Sequence, residues 1–128
     1  MFTATTGEIE VQVATHFAAE HSIPFSNEYY FAYHVRITNH SNAAIQVMGR
    51  EWHIHDGVAH KRTVKGEGLV GKQPHIAPGH THEYVSYCNL KSQFGQMSGR
   101  FFAIRKADGE VIELMVPAFT LVVPYLLN

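Results

Sequence analysis

The stretch YYFAYHVRITN at residues 29–39 decides the fold class of this chain. Large apolar side chains occupy its odd positions from Tyr29 to Ile37, whereas the even positions include His34 and Arg36. A period of two places successive side chains on opposite faces of a β-strand, one face buried and the other in water. Residues 7–17 show the same alternation. Both stretches therefore predict strands that have one solvated face.

Turn signals separate five further strand candidates along the chain. These candidates are residues 44–54, 58–65, 81–87, 97–106 and 111–119. The apolar positions of the first candidate change parity near Gly49, which predicts a β-bulge because one extra residue reverses the facing. No stretch shows the periodicity of an amphipathic helix. The sequence therefore predicts one domain over residues 1–128, an all-β antiparallel sandwich of about seven strands.

Composition and charge exclude several classes of protein. Charged residues make up 16% of the chain and the formal net charge is −1, so we expect neither a disordered chain nor a nucleic-acid partner. Cys88 is the single cysteine, which rules out an intrachain disulfide. Residues 1–6 show no signal-peptide pattern, and the apolar stretch 114–127 is too short and too interrupted by proline to cross a membrane. We therefore expect a cytoplasmic protein with no membrane partner.

A glycine-rich loop at residues 66–73 matches two phosphate-binding patterns. Both patterns bind phosphate because their glycines open a helix whose amides point at the anion. Pro74 and Pro78 prevent such a helix here, and Gln73 replaces the hydroxyl that would hold magnesium. The loop therefore predicts a shaped connector with positive φ angles, and a small anion nest that would bind pyrophosphate is the alternative. The candidate anion-binding residues are Gly66, Gly68, Gly71 and Lys72.

Ten histidines are present, and two His-x-His pairs stand out among them. The candidate metal ligands are His53, His55, His80 and His82. Residues two apart on a strand share a face, so each pair could chelate one divalent ion such as zinc, cobalt or nickel. If Trp52 and Ile54 point inward, the first pair lies on the solvent face. Exposed histidines without a metal are then the simpler interpretation.

Enzyme patterns are weak in this sequence. Metal-dependent cupins also carry His-x-His on a strand, but they have a glutamate where this chain has Ala59 and His60. No G-x-S-x-G motif occurs, and Cys88 has no diagnostic neighbours, so we expect a quiet, partly buried thiol. We therefore expect no enzyme activity, no catalytic residue and no cofactor, with a cupin-like metalloenzyme as a remaining alternative.

Several longer motifs occur together in an unusual combination. They are residues 30–39, 49–54, 66–79, 97–101 and 117–124. With these motifs the chain resembles the ApaG family of small bacterial proteins, also called CorD, from about residue 9 to residue 127. The resemblance implies a sandwich of the immunoglobulin or fibronectin type III kind and no established catalytic activity. The family names also imply a link to diadenosine-polyphosphate metabolism or to cobalt and magnesium handling.

Edge strands, exposed aromatic side chains and shaped loops favour a non-enzymatic protein-interaction module. We expect it to bind an unidentified protein partner, with strand addition to a sheet edge as one mode. The alternative is a sensor for a small ligand, either an anion at the glycine loop or a divalent metal at the histidines. The apolar ending 121–127 requires burial in the protein's own core or in a homodimer.

Overall fold

The computed structural model describes residues 1–127 of the chain. Nine strands account for most of these residues. They are β1 (Phe2–Thr6), β2 (Ile9–Phe17), β3 (Tyr29–Asn39), β4 (Ile45–Asp56), β5 (His60–Glu67), β6 (His75–Ile76), β7 (Thr81–Leu90), β8 (Phe94–Arg105) and β9 (Val111–Val122). Three short 3-10 helices span Ala19–His21, Pro24–Ser26 and Pro124–Leu127. Among the described residues, no helix is long and apolar enough to cross a membrane.

The strands form two antiparallel sheets that pack face to face. The first sheet has the order β1-β2-β3-β7, and the second has the order β5-β4-β8-β9 with β6 also paired to β4. The predicted antiparallel β-sandwich is confirmed, with nine strands in place of about seven. The two additional strands are β1 and β6, which are too short and too weakly patterned to stand out in the sequence.

Strand β3 lies in the middle of the first sheet and supplies much of the core. Its odd residues are buried and its even residues are half-buried or exposed, as the alternation predicts. Tyr33 meets Trp52 of β4 edge to face, with ring centroids 5.5 Å apart. The Trp52 ring also packs edge to face on Phe101 and Phe119, with ring centroids 5.7 Å and 5.9 Å apart. Aromatic side chains from both sheets therefore form the centre of the core, where each buries a large apolar area.

The parity change in β4 is a β-bulge, as predicted. The pairing of β4 with β8 shifts between Val47 and Gly49. The shift keeps Val47 and Trp52 both buried although they are an odd number of residues apart. It also turns Arg50 towards the space between the sheets and Glu51 towards the outer face of the second sheet.

The apolar C-terminal stretch fills the protein's own core in its first half. The side chains of Leu121 and Val123 are fully buried. Tyr125 and Leu126 are about half exposed, and the side chain of Leu127 lies outside the described part of the structure. Burial of this first half therefore does not require a second chain, and a homodimer stays a prediction.

Candidate functional site

Each sheet ends in two outer strands, and the four edges meet in two pairs. On one side of the sandwich β1 lies beside β9, where the amide of Met115 donates to Thr6 Oγ1 at 3.0 Å. On the other side β5 and β7 face each other across an opening. A guanidinium nitrogen of Arg62 on β5 crosses this opening and donates to the carbonyl of Asn89 at 2.7 Å.

Strands β5 and β9 carry features that discourage pairing with another chain. Lys61 and Lys65 lie exposed on β5, and Arg62 places a charge on its inner face. Strand β9 contains Pro117, and its pairing with β8 shifts between Met97 and Gly99. Lysine, inward-facing charge, proline and bulges are the devices that discourage edge-to-edge association of sheets.

Strand β7 lacks these devices over its whole length. Its ten residues, THEYVSYCNL, include no lysine, arginine or proline. The amide of Asn39 donates to the carbonyl of His80 at 3.0 Å. This hydrogen bond shows which residues of β7 are bonded to β3 and which are not. Because bonding alternates along a strand, even residues of β7 bond to β3 and odd residues point away from it. The backbone groups of Glu83, Val85 and Tyr87 therefore face outward.

Apolar side chains lie exposed beside this edge. The exposed fractions are 49% for Val85 and 57% for Tyr87, both on the outer face of β7. In the connection between β2 and β3, Ile23 is 42% exposed and Phe25 is 93% exposed. A hollow of about 490 Å³ lies between Tyr87, Ile23 and neighbouring residues. Adjacent exposed apolar side chains are typical of surfaces that bind another protein.

A second cavity lies on the inner side of the same edge, between the two sheets. Its volume is about 290 Å³, slightly below the range of about 300–1,000 Å³ that small-molecule sites occupy. Tyr33, Trp52 and Cys88 line it, together with Arg50 and Arg62. Burial raises the pKa of Cys88 to about 11. The thiol therefore stays protonated at neutral pH and is a poor nucleophile.

The glycines of the loop have a structural reason in the fold. Arg50 donates to the carbonyls of Glu67 at 2.9 Å and Gly68 at 3.1 Å, which holds the loop against β4. A Cβ on Gly66 would lie 2.7 Å from this guanidinium. Gly68 has a φ of +67°, and a Cβ there would lie 2.5 Å from the carbonyl oxygen of Lys72. These two glycines allow a close approach that a side chain would obstruct.

The backbone amides of the loop are largely occupied. The amide of Gly68 donates to Met48 at 2.8 Å, that of Leu69 to Lys72 at 2.6 Å, and that of Lys72 back to Leu69 at 3.1 Å. The short strand β6 follows the loop in place of a helix. Three of the five amides of residues 68–72 are thus unavailable to an anion. The predicted nest of Gly66, Gly68, Gly71 and Lys72 stays a prediction, centred on the amides of Val70 and Gly71.

The histidine pairs lie in different sheets. His53 and His55 are on the outer face of β4, as predicted, and His53 Nε2 donates to Glu51 Oε2 at 3.1 Å. His80 precedes β7, whereas His82 lies on its inner face with an Nε2 that is buried and has no hydrogen-bond partner. Burial, and then the nearby Lys72, lower the pKa of His82.

Metal binding by either pair stays a prediction. Within the described part of the chain, no three His, Cys, Asp or Glu side chains are grouped closely enough to hold a metal ion. A two-histidine site would need further ligands from water or from another molecule, since structural zinc takes four ligands. The cupin-like alternative therefore gains no support from the arrangement of these residues.

A charge network that no local sequence motif reveals covers the outer face of the second sheet. Glu51 is only 5% exposed and accepts hydrogen bonds from Lys65 at 3.2 Å, His53 at 3.1 Å and Arg100 at 3.1 Å. The hydrogen bond from Lys65, followed by His53 and Arg100, holds the pKa of Glu51 below its usual value against the opposing effect of burial. Arg100 also bonds Glu113 at 3.0 Å. Because its partners are satisfied within the sheet, we assign this network to stability.

These features define a small antiparallel β-sandwich with one side open between unlike edges. The chain belongs to the ApaG domain family, whose sequence model matches residues 19–105. A protein named ApaG from Methylobacterium nodulans is 41% identical over 126 residues, which are 98% of this chain and 96% of that protein. One from Anaeromyxobacter dehalogenans is 41% identical over 128 residues, the full length of both chains.

A solved structure shows the same fold. The crystal structure of a Bordetella pertussis protein described as ApaA superposes with a TM-score of 0.87 at 39% identity, covering 91% of this chain and 94% of that one. The resemblance drawn from the sequence motifs is therefore confirmed at the level of family and fold. The names of these relatives state no activity, ligand or partner.

Proposed function

We propose that this protein is a non-catalytic interaction module that takes up an extended segment of a partner protein along β7. In this mode the segment adds as a further strand to the first sheet, with main-chain hydrogen bonds giving affinity and side-chain pockets giving specificity. One observation carries the proposal. Among the edge strands of the described residues, β7 is long and has no lysine, no proline, no bulge and no inward-facing charged side chain.

The geometry around β7 supports strand addition. The outward backbone groups of Glu83, Val85 and Tyr87 are spaced along the edge as an antiparallel ladder requires. The apolar hollow lies beside the outer face of the strand, and the cavity between the sheets opens on its inner face. An added strand would therefore find side-chain space on both of its faces.

The titratable groups of the site favour binding over catalysis. Cys88 is buried and has a raised pKa, so little thiolate is present at neutral pH. The pKa of Tyr84 is also raised by burial, so the phenol stays neutral. General acid–base or nucleophilic catalysis needs groups poised near the working pH, and these two are shifted away from it.

A proline substitution tests the proposal directly. Peptides selected on the immobilised wild-type chain from a random library would be measured against Val85→Pro and Val85→Ala by calorimetry. Val85→Pro removes an amide that points away from β3, so the fold should persist, which is checked from the amide spectrum. We expect at least about tenfold weaker binding to Val85→Pro, about 1.4 kcal/mol, and near wild-type binding to Val85→Ala.

The matched control lies on the protected edge. The amide of Gly68 donates to Met48, which sets the phase of the β4–β5 ladder and places the amide of Thr63 outward. Thr63→Pro should leave the affinity of the selected peptides unchanged. Peptides that bind Val85→Pro as tightly as the wild type would show that β7 is not the docking edge.

The small-ligand sensor remains the second candidate function. Its support is the position of Lys72 beside His82, together with the buried Nε2 of His82 and hydroxyl of Tyr84, which have no hydrogen-bond partner among the described residues. An NMR amide titration with pyrophosphate, diadenosine tetraphosphate, Mg²⁺ and Co²⁺ tests it. Saturable shifts confined to residues 66–82 would favour the sensor and the family's link to dinucleotides or cations. A spectrum that does not change would remove this candidate.

A further inference from the structure

We infer that the segment accepted by β7 alternates acidic and apolar side chains, with the acidic ones directed between the sheets and the apolar ones onto Val85 and Tyr87. This inference rests on the proposed strand addition and specifies the chemistry of the partner. It follows from the different surroundings of the two faces that an added strand would have.

Geometry determines where the side chains of an added strand would lie. A strand paired with β7 continues the first sheet, and its successive side chains alternate between the outer and inner faces. Inner side chains would point into the opening between β7 and β5. Outer side chains would lie beside Val85 and Tyr87, which are on the outer face of β7 and about half exposed.

The inner opening is positively charged. Arg50 and Arg62 both line the cavity of about 290 Å³. Arg50 donates to two backbone carbonyls, and no carboxylate in the described part of the chain forms an ion pair with it. Arg62 donates to the neutral carbonyl of Asn89 at 2.7 Å and lies 3.9 Å from a carboxylate oxygen of Asp56.

Asp56 is already engaged with other groups, which leaves Arg62 able to bind a further carboxylate. The two carboxylate oxygens of Asp56 accept hydrogen bonds from the amides of Lys91 at 2.8 Å and Ser92 at 2.9 Å. A guanidinium binds a carboxylate through two parallel hydrogen bonds, which makes arginine selective for this group. The cavity is smaller than most small-molecule sites but has room for a side chain. A glutamate or aspartate of the added strand therefore suits the inner face.

Charge at the rim of the opening favours the same partner. Lys61 precedes Arg62 on β5 and is exposed on the outer face of that strand, so it adds positive charge near the edge without lining the opening. Complementary charge accelerates encounter and selects between partners. Glu83 lies on the outer face of β7, where it is paired with His34 and Arg36. The charge that faces the opening is therefore that of Arg50 and Arg62, which favours an acidic segment over a basic one.

The outer face calls for apolar residues. Val85 and Tyr87 would be the cross-strand neighbours of the added residues, and aromatic and β-branched side chains pair well across strands. The hollow of about 490 Å³ extends from Tyr87 to Ile23 and Tyr30. An apolar side chain placed there would cover surface that is now in contact with water.

A second copy of this chain fits the edge less well. If β7 paired with β7 of another molecule, the inner face of the added strand would present Tyr84 and Ser86. Neither side chain supplies a carboxylate to Arg62. The charge of the opening therefore favours a segment of a different protein.

Three synthetic peptides test the inference. They share the sequence Ac-Thr-X-Val-X-Phe-X-Val-X-Thr-NH2, with X as Glu, Gln or Lys, and their dissociation constants are measured by NMR titration of the full chain at about 50 and about 200 mM salt. We expect the Glu peptide to bind at least about tenfold tighter than the Gln peptide and to weaken with salt, and the Lys peptide to bind weakest.

Variants of the chain separate this inference from the proposed function. Arg62→Gln should reduce the preference for Glu over Gln to less than about threefold. Arg105→Gln should leave it unchanged, because Arg105 is engaged with Asp108 and Glu110 at the end of β8.

Each result has a defined consequence. If the Glu and Gln peptides bind the wild type equally well and neither binds Val85→Pro, the acidic preference is refuted and strand addition stands. Failure of all three peptides to shift the β7 amides, or equal binding to Val85→Pro, would refute both. Self-association of the wild type that Val85→Pro abolishes would show that a second copy occupies the edge and would overturn the inference.

Discussion

The two glycines Gly68 and Gly71 should differ in how much stability they contribute, although the phosphate-binding pattern treats them alike. Both have a left-handed φ, +67° and +77°. A Cβ at position 68 would lie 2.5 Å from the carbonyl oxygen of Lys72, whereas a Cβ at position 71 would meet nothing within 4 Å. Gly68→Ala therefore adds a backbone clash to the conformational strain, and Gly71→Ala adds strain alone.

The expected losses follow from these two contributions. The left-handed conformation costs a residue with a side chain about 1–2 kcal/mol. Forcing an extra methyl group into a packed position costs about 1–3 kcal/mol more. We therefore expect Gly68→Ala to lower the free energy of unfolding by about 2–5 kcal/mol and Gly71→Ala by about 1–2 kcal/mol.

Equilibrium urea unfolding measures both losses. With an m value of about 2 kcal/mol/M, the midpoint should fall by about 1–2.5 M for Gly68→Ala and by about 0.5–1 M for Gly71→Ala. Gly71→Asn is the control, because asparagine tolerates the left-handed region and should recover most of the loss. A Gly71→Ala loss equal to that of Gly68→Ala would refute the reasoning from loop geometry.

Three further outcomes are expected from the same structure. The pKa of Glu51 is lower in the folded chain than in the unfolded chain. Its contribution to stability is therefore present above the unfolded pKa and is lost as the pH falls through the folded pKa. Urea unfolding from about pH 6 to about pH 3 should show a smaller acid-induced loss of stability in Glu51→Gln than in the wild type. The buried thiol of Cys88 should react with a thiol reagent at about pH 8 only after denaturant is added, and rapid labelling of the native chain would contradict its burial. Truncation after Thr120 removes the buried side chains of Leu121 and Val123. It should lower the free energy of unfolding, measured with urea, by about 3–6 kcal/mol. A truncated chain that unfolds at the wild-type urea midpoint would contradict this.

Local pattern in the sequence was sufficient for the strands and their facing. The alternation in β3 identified which side chains are buried, because a strand has only two faces and only one of them meets the core. The parity change at Gly49 located the bulge for the same reason. The motifs also carried enough information to assign the family, since they lie in the loop and strands that shape this particular sandwich.

Only the tertiary structure decided which strands have an unpaired edge. Whether a strand lies inside a sheet or at its edge depends on the order of strands, and β7 becomes an edge because it pairs with β3 alone. The reason for Gly66 also depends on the tertiary structure, because the guanidinium that its missing side chain makes room for belongs to Arg50, many residues earlier in the chain. Such contacts join residues that are distant in sequence, and a period-of-two pattern reports the facing of a residue but not its neighbour across the sheet.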